Sequence, residues 1–209
     1  MSRLTEYQIN ALRDLATLWS GERFSLVGAA GLTCQMAGFL RQTNDLDIAI
    51  ALSQDALPSG LGRLPGWDRH PRRDHEWRAP GGVRIDLIPA GPELLAAGEI
   101  AWPTGHRMNL LGVRHAFDQA TRLALAPDLS VEVASVATIA LLKIVAYQDR
   151  PHDRIRDLGD LAFILEHYLG EDDERRYSDP VLASGITYEQ AGSFVLGRDL
   201  AAIDRVERL

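Results

Sequence analysis

The chain is nearly devoid of cysteine. Cys34 stands alone among 209 residues, so no internal disulfide framework exists. A reducing compartment, the cytoplasm, is the expected setting. Long apolar runs are missing too. The longest, Val136 to Leu142, is broken by Lys143 and falls far short of the ~20 residues that a membrane-spanning helix needs. Positive charge is not in excess. A formal net charge of −7 excludes a general nucleic-acid coat, which requires a basic footprint. There is no internal repeat and no low-complexity segment, and His106 and His115 lack metal-ligand spacing. The N-terminus carries Arg3, Glu6, Arg13 and Asp14 within the first turns of a helical pattern, so it does not read as a signal peptide. What remains is the composition of a soluble globular protein, with 46% hydrophobic and 24% charged residues, enough for a full core.

Periodicity divides the chain into an α/β part and a helical part. Residues 4–19 place Leu4, Ile9, Leu12, Leu15, Ala16 and Trp19 near helical spacing. Phe24 to Val27 reads as a strand, Gly28 to Gly31 as a turn and Leu32 to Leu40 as a helix. Leu46 to Leu52 is an apolar strand that begins at an Asp pair. Residues 53–66 read as loops, with room for one short helical turn. Glu76–Arg78 and Val83–Pro89 flank Ala79-Pro80-Gly81-Gly82, a hairpin signal. Met108–Ala116 and Val131–Ala134 are further extended segments. Beyond Ser135 the chain is expected to be helical, over Val136–Gln148, Asp153–Tyr168 and from Tyr188 to the C-terminus. Gly170–Ser178 reads as a solvated linker. The expected architecture is an α/β core of residues 1–134, with a helical region of residues 135–209 packed on it.

Three features carry chemistry. Gly28-Ala29-Ala30-Gly31 lies between a strand and a helix. Small residues there let backbone amides approach a phosphate, and a helix N-terminus favours an anion; equally, small residues permit a tight turn. Asp45 and Asp47 sit at positions i and i+2 of a strand and so face one point, with Leu46 and Ile48 on the other side. Two converging carboxylates need a counter-charge, and hard oxygen ligands suit Mg²⁺, or Mn²⁺ in its place. Asp86 lies amid Val83-Arg84-Ile85-Asp86-Leu87-Ile88, where burying an Asp is costly unless it is paired or metal-bound. The plainer readings are a solvated strand start for the pair, and an edge strand or an arginine ion pair for Asp86.

Taken together, these residues resemble the nucleotidyltransferase superfamily related to DNA polymerase β. Its signature is a hydrophobic residue, Gly, then Gly or Ser, followed by a helix, an Asp-hydrophobic-Asp/Glu-hydrophobic run and a third carboxylate on a later strand. The matching segments are Val27-Gly28-Ala29, Asp45-Leu46-Asp47-Ile48 and Asp86. Ala29 departs from Gly or Ser but keeps the backbone amide. Within the superfamily the chain is most similar to the abortive-infection nucleotidyltransferase toxin group and its bacterial relatives. The similarity rests on Arg41-Gln42-Thr43-Asn44-Asp45-Leu46-Asp47, on Leu142-Lys143-Ile144-Val145-Ala146, and on Asp149-Arg150 with Arg156-Asp157-Leu158-Gly159-Asp160-Leu161. It covers roughly residues 20–170, most strongly 24–52 and 136–165.

The resemblance implies a small mixed-sheet nucleotidyltransferase core flanked by helices, with a helical C-terminal half. It implies a Mg²⁺-dependent enzyme transferring NMP from an NTP to a hydroxyl on a tRNA or other RNA end or on a protein. Asp45, Asp47 and Asp86 would be catalytic and would hold the metal. Gly28, Ala29, Arg41, Thr43 and Lys143 would bind the nucleotide, Thr43 alternatively holding a carboxylate in place. A toxin–antitoxin or phage-defence setting with a cognate antitoxin follows from the same resemblance. Other readings are a nucleotidyltransferase-fold binding module without turnover, and a metal-dependent phosphoesterase. From the residues alone, Lys143 is equally a snorkelling lysine, Arg156, Asp157 and Asp160 are helix-surface ion pairs, and the charged stretch Trp67–Arg78 is a solvated hairpin.

Overall fold

A computed structural model describes residues 4–39 and 41–207, with the side chains of 204–207 left aside. Arg3, Leu40 and the end of the expected C-terminal helix lie outside the described residues. In chain order the elements are α1 (Glu6–Leu18), β1 (Phe24–Val27), α2 (Gly28–Gln35), β2 (Asp45–Ile50), α3 (Leu57–Leu61), β3 (Asp68–Arg69), β4 (Glu76–Ala79), β5 (Val83–Pro89) and α4 (Pro92–Ala97). They continue with β6 (Glu99–Ala101), β7 (Arg107–Asn109), α5 (His115–Asp118), β8 (Thr121–Ala126), β9 (Leu129–Val133), α6 (Val136–Asp149), α7 (Ile155–His167), α8 (Asp179–Ala183) and α9 (Ala191–Glu207).

Among the described residues, seven strands form one mixed sheet in the order β3-β4-β5-β2-β1-β9-β8. The β2–β5 and β1–β9 pairs are parallel and the others antiparallel. Strand alternation gives the sheet two different faces. Leu46, Ile48 and Ile50 of β2 and Val83, Ile85 and Leu87 of β5 join Leu12 and Leu15 of α1 in one apolar cluster. Val27, Ala49 and Ile88 face the other way, against α2, α6, α7 and α9. That second cluster crosses residue 134, since it joins Leu32 to Ile139, Ala140, Ile164 and Leu196. Asp45, Asp47, Asp86 and Glu76 alternate with the first cluster and so lie on this helix-covered face.

Local chemistry sets the helix ends. Thr5 caps α1 in a reciprocal box with Gln8, satisfying two otherwise orphaned amides. Gln8 Nε2 donates to the carbonyl oxygen of Thr43 at 2.9 Å, which anchors the segment entering the Asp pair. Ser135 caps α6 through the Thr138 amide.

Several expectations are revised. Helix α2 begins at Gly28, not Leu32, because Val27 is extended and serves as its N-cap; it ends at Gln35, where Met36 returns to extended backbone. The short helical turn allowed for within residues 53–66 is not revised: it is α3, Leu57–Leu61. Of Met108–Ala116 only the first residues are extended; Gly112 then takes φ +80° and a short helix begins at His115. Gly170–Ser178 is largely exposed, as a solvated segment would be, but it is tied down at one residue. Arg176 is buried in it, donating to the carbonyl oxygens of Leu169 at 2.6 Å, Gly170 at 2.9 Å and Tyr188 at 3.1 Å. Trp67–Arg78 is not wholly solvated either: Trp67, Glu76 and Trp77 are buried, and Trp67 Nε1 donates to Asp14 at 3.0 Å.

Candidate active site

The edges of β2 and β5 set the floor of the site. Their parallel register places Asp47 directly beside Asp86 and Asp45 beside Arg84. Opposite Asp86, across the antiparallel β4–β5 pair, stands Glu76, held by Arg73 at 2.7 Å. Three carboxylates thus lie in a row across adjacent strands on one face.

Their charges are unequally compensated. Asp45 forms an ion pair with Arg84, whose Nε also lies 3.6 Å from Asp86 Oδ2. Asp86 Oδ1 is buried without a hydrogen-bond partner. Burial, reinforced by the charge of Asp47, pushes the Asp86 carboxyl up to about 7 despite Arg84. Burial raises Asp47 as well, although Lys143 and Arg154 pull it back. Such displaced carboxylates in a cleft mark functional sites.

Helix α2 closes one wall. Its first residue, Gly28, has φ +63°, and a Cβ there would meet Asp47 Oδ2 at 2.0 Å. Only glycine lets the helix N-terminus come so near the carboxylate. Val27 makes no side-chain cap, so the first amides of α2 remain available to an anion. Ala29, buried, belongs to the apolar cluster behind the site.

Helices α6 and α7 form the opposite wall. Lys143, the single lysine of the chain, is buried, and its Nζ donates to Asp157 Oδ1 at 2.7 Å and Asp160 Oδ2 at 2.6 Å. Arg41 reaches Asp160 at 3.1 Å. Asp157 and Asp160 are therefore not helix-surface partners of Arg156 but the buried counter-charges of Lys143, and Lys143 does not snorkel. Thr43 holds the backbone of Asp45, accepting from its amide at 3.2 Å, rather than a carboxylate.

All eight residues singled out in the sequence, Gly28, Ala29, Arg41, Thr43, Asp45, Asp47, Asp86 and Lys143, line one cavity of about 260 Å³. Arg84, Arg107, Met108, Asn109 and Arg150 line it too and had been given no role at the site. Arg84 had a signal, since it shares a strand face with Asp86. Arg150 belongs to the Asp149-Arg150 pair that carried the resemblance, without a role of its own, and Arg107 had no signal, being brought in by a hairpin remote in sequence.

The donors at the floor are all oxygens, as a hard divalent cation requires. Asp47 and the unpartnered Asp86 Oδ1 fit that use. Among the described residues no three Asp, Glu, His or Cys side chains stand close enough to hold an ion as placed, and Asp45 is paired with Arg84. The chemistry of the donor set fits a cation, for which Asp45 is held at present by its arginine.

No curated protein matches the chain. Similar solved structures include the antibiotic-resistance factor ANT(2'')-Ia, at 12% identity and a TM-score of 0.49, covering 96% of this chain and 97% of that one. An antigenic nucleotidyltransferase-like protein from Paracoccidioides brasiliensis is similar at 17% identity and a TM-score of 0.47, covering 95% and 92%. JHP933 from Helicobacter pylori is similar at 15% identity and a TM-score of 0.44, covering 98% and 97%. The family of the nucleotidyl transferase AbiEii toxin, type IV toxin–antitoxin system, matches residues 10–185, a span that holds every residue of the site. The chain belongs to the AbiEii nucleotidyl transferase toxin family and is a nucleotidyltransferase.

Proposed function

We propose that the protein transfers the NMP of an NTP to a hydroxyl on an RNA end, such as a tRNA 3′ end, or on a protein. The observation that carries this reading is the pairing of Asp47 with Asp86 across β2 and β5, with the N-terminus of α2 against Asp47. Asp45, Asp47 and Asp86 would hold Mg²⁺, or Mn²⁺ in its place, which when bound neutralises phosphate charge and acidifies the attacking hydroxyl.

The remaining work falls to the chain. The amides of Gly28 and Ala29 receive the triphosphate at the positive end of α2. Lys143 has three ammonium protons, of which Asp157 and Asp160 take two, so one is left for a phosphate oxygen. Arg41 is anchored on Asp160 and lines the same wall, and Thr43 holds the strand start. The hydroxyl oxygen attacks the α-phosphorus in line, its proton leaves to solvent, and the bond to the pyrophosphate oxygen breaks. The family supports a toxin role, with a cognate antitoxin as the proposed partner.

The test uses NTPs labelled separately at the α- and γ-phosphates, with Mg²⁺, total RNA and lysate protein. Label on a macromolecule from the α position alone supports transfer and names the acceptor. Free labelled NMP without a labelled acceptor supports a phosphoesterase instead. Bound NTP with no product supports a binding module.

A further inference from the structure

Beyond the carboxylate floor the cavity continues past β7 into a second one, of about 440 Å³, lined by Glu99, His106, Arg107, Asn109, Asp149 and Arg150. Arg107, Asn109, Asp149 and Arg150 line both. Arg107 is neutralised by Glu99. Arg150 is different. Half-buried at the end of α6, its guanidinium makes no hydrogen bond or ion pair with any described residue. Asp149 and Asp153 favour its charge, but burial and Arg154 outweigh them. His106 stands on the second cavity with Nε2 buried and unpartnered. Beside it packs a cluster of tilted rings, with the His75 ring centre 5.7 Å from that of His106 and 5.6 Å from that of Trp102. Arg150 acts against protonation of both histidines. Asp149, which lines both cavities, and Asp153 act on Arg150 through space, yet among the described residues no carboxylate is in hydrogen-bond or ion-pair contact with its guanidinium.

We infer that Arg150 and His106 form a second anion site, at the seam of the two cavities, that takes a phosphate group. A guanidinium offers the fork of donors that phosphate oxygens fit, and His106 adds one donor. The inference deepens the nucleotidyl-transfer reading. The phosphate comes either from the nucleotide's own tail or from the acceptor.

Inorganic phosphate is the probe, titrated calorimetrically into metal-free protein. Wild type binds it, and Arg150→Gln weakens binding about tenfold or more, as expected for losing a charged hydrogen-bonded partner, while Arg150→Lys retains part. The melting temperature of Arg150→Gln stays level, since no protein contact is lost; a fall with unchanged phosphate affinity would show a purely structural arginine and overturn the site. Absence of phosphate binding in wild type overturns it as well. Asp47→Asn, which stops transfer under the proposed function, leaves phosphate binding intact, so the two readings fail separately. Competition locates the source. Displacement of phosphate by a non-hydrolysable NTP assigns the site to the nucleotide's tail, and simultaneous binding assigns it to the acceptor.

Discussion

Replacing Asp86 by Asn should stabilise the metal-free protein, and only at neutral and alkaline pH. The Asp86 carboxyl is raised from 3.8 to about 7, chiefly by burial and then by Asp47, and its side chain is 22% exposed. Below pH ~4 the carboxyl is protonated in both folded and unfolded chains, so its ionisation costs the fold nothing. Between 4 and 7 the unfolded chain ionises it while the folded one holds the proton, and stability falls as pH rises. Above 7 the cost is complete. At about 1.4 kcal/mol per pH unit across that interval, the ceiling is about 4 kcal/mol. Solvent relaxation and the coupling to Asp47 reduce this to about 2 kcal/mol. An amide of the same shape carries no such cost. Urea unfolding in EDTA at pH 4.5, 6 and 8 should therefore show a gain for Asp86→Asn that is small at 4.5 and about 2 kcal/mol at 8. Saturating Mn²⁺ should erase the difference, by stabilising wild type about 2.7 kcal/mol at a hundredfold excess over Kd. A variant less stable than wild type at pH 8, or a gain independent of pH, would refute the reasoning.

Other perturbations reach different walls of the site. Gly28→Ala forces a Cβ onto Asp47 Oδ2 at a backbone with φ +63°; thermal melts should show a loss of at least about 1 kcal/mol, and transfer should disappear, whereas a silent substitution would discredit the close approach. Lys143→Met leaves Asp157 only the distant Arg154 at 3.9 Å and Asp160 only Arg41, so urea unfolding should report a loss of about 3–5 kcal/mol, partly restored by adding Asp157→Asn; a loss under about 1 kcal/mol would contradict the buried pairing. Arg84→Gln frees Asp45 to join Asp47 and Asp86, and Mn²⁺ binding followed by electron paramagnetic resonance should tighten up to about fivefold, matching the modest worth of a half-exposed ion pair. Weaker binding would show that Arg84 serves the cation site rather than competing with it.

Much of the floor was legible because it obeys strand periodicity. Asp45 and Asp47 lie two apart, and Asp86 alternates with Val83, Ile85 and Leu87, so one-dimensional spacing decides which face each takes. The pairing of Asp47 with Asp86 was not legible, since it depends on the register of two parallel strands distant in sequence. Helix α2 was misplaced at its start because Gly28-Ala29-Ala30-Gly31 carries the small residues of a turn, and small residues also let a helix approach a strand closely. Strand β8 escaped notice. Its Thr121–Ala126 run is alanine-rich and it forms a sheet edge, where β-branched residues are less needed. The partners of Lys143 were visible in the sequence as an Arg-Asp motif, yet only the packing of α6 on α7 turns Asp157 and Asp160 inward. Arg150 carried no local signal of an anion site, because the lack of a hydrogen-bonded partner at its guanidinium is a property of the assembled cavities.

The central claim is that Asp47 and Asp86 together make the catalytic floor. Its most direct test is single-turnover transfer from α-labelled NTP to the acceptor, measured for wild type, Asp47→Asn and Asp86→Asn at saturating Mg²⁺ and equal folded fraction. The account predicts that each variant loses at least about a thousandfold, as removal of a group acting on the reacting atoms commonly does. Transfer within about threefold of wild type in either variant would contradict it.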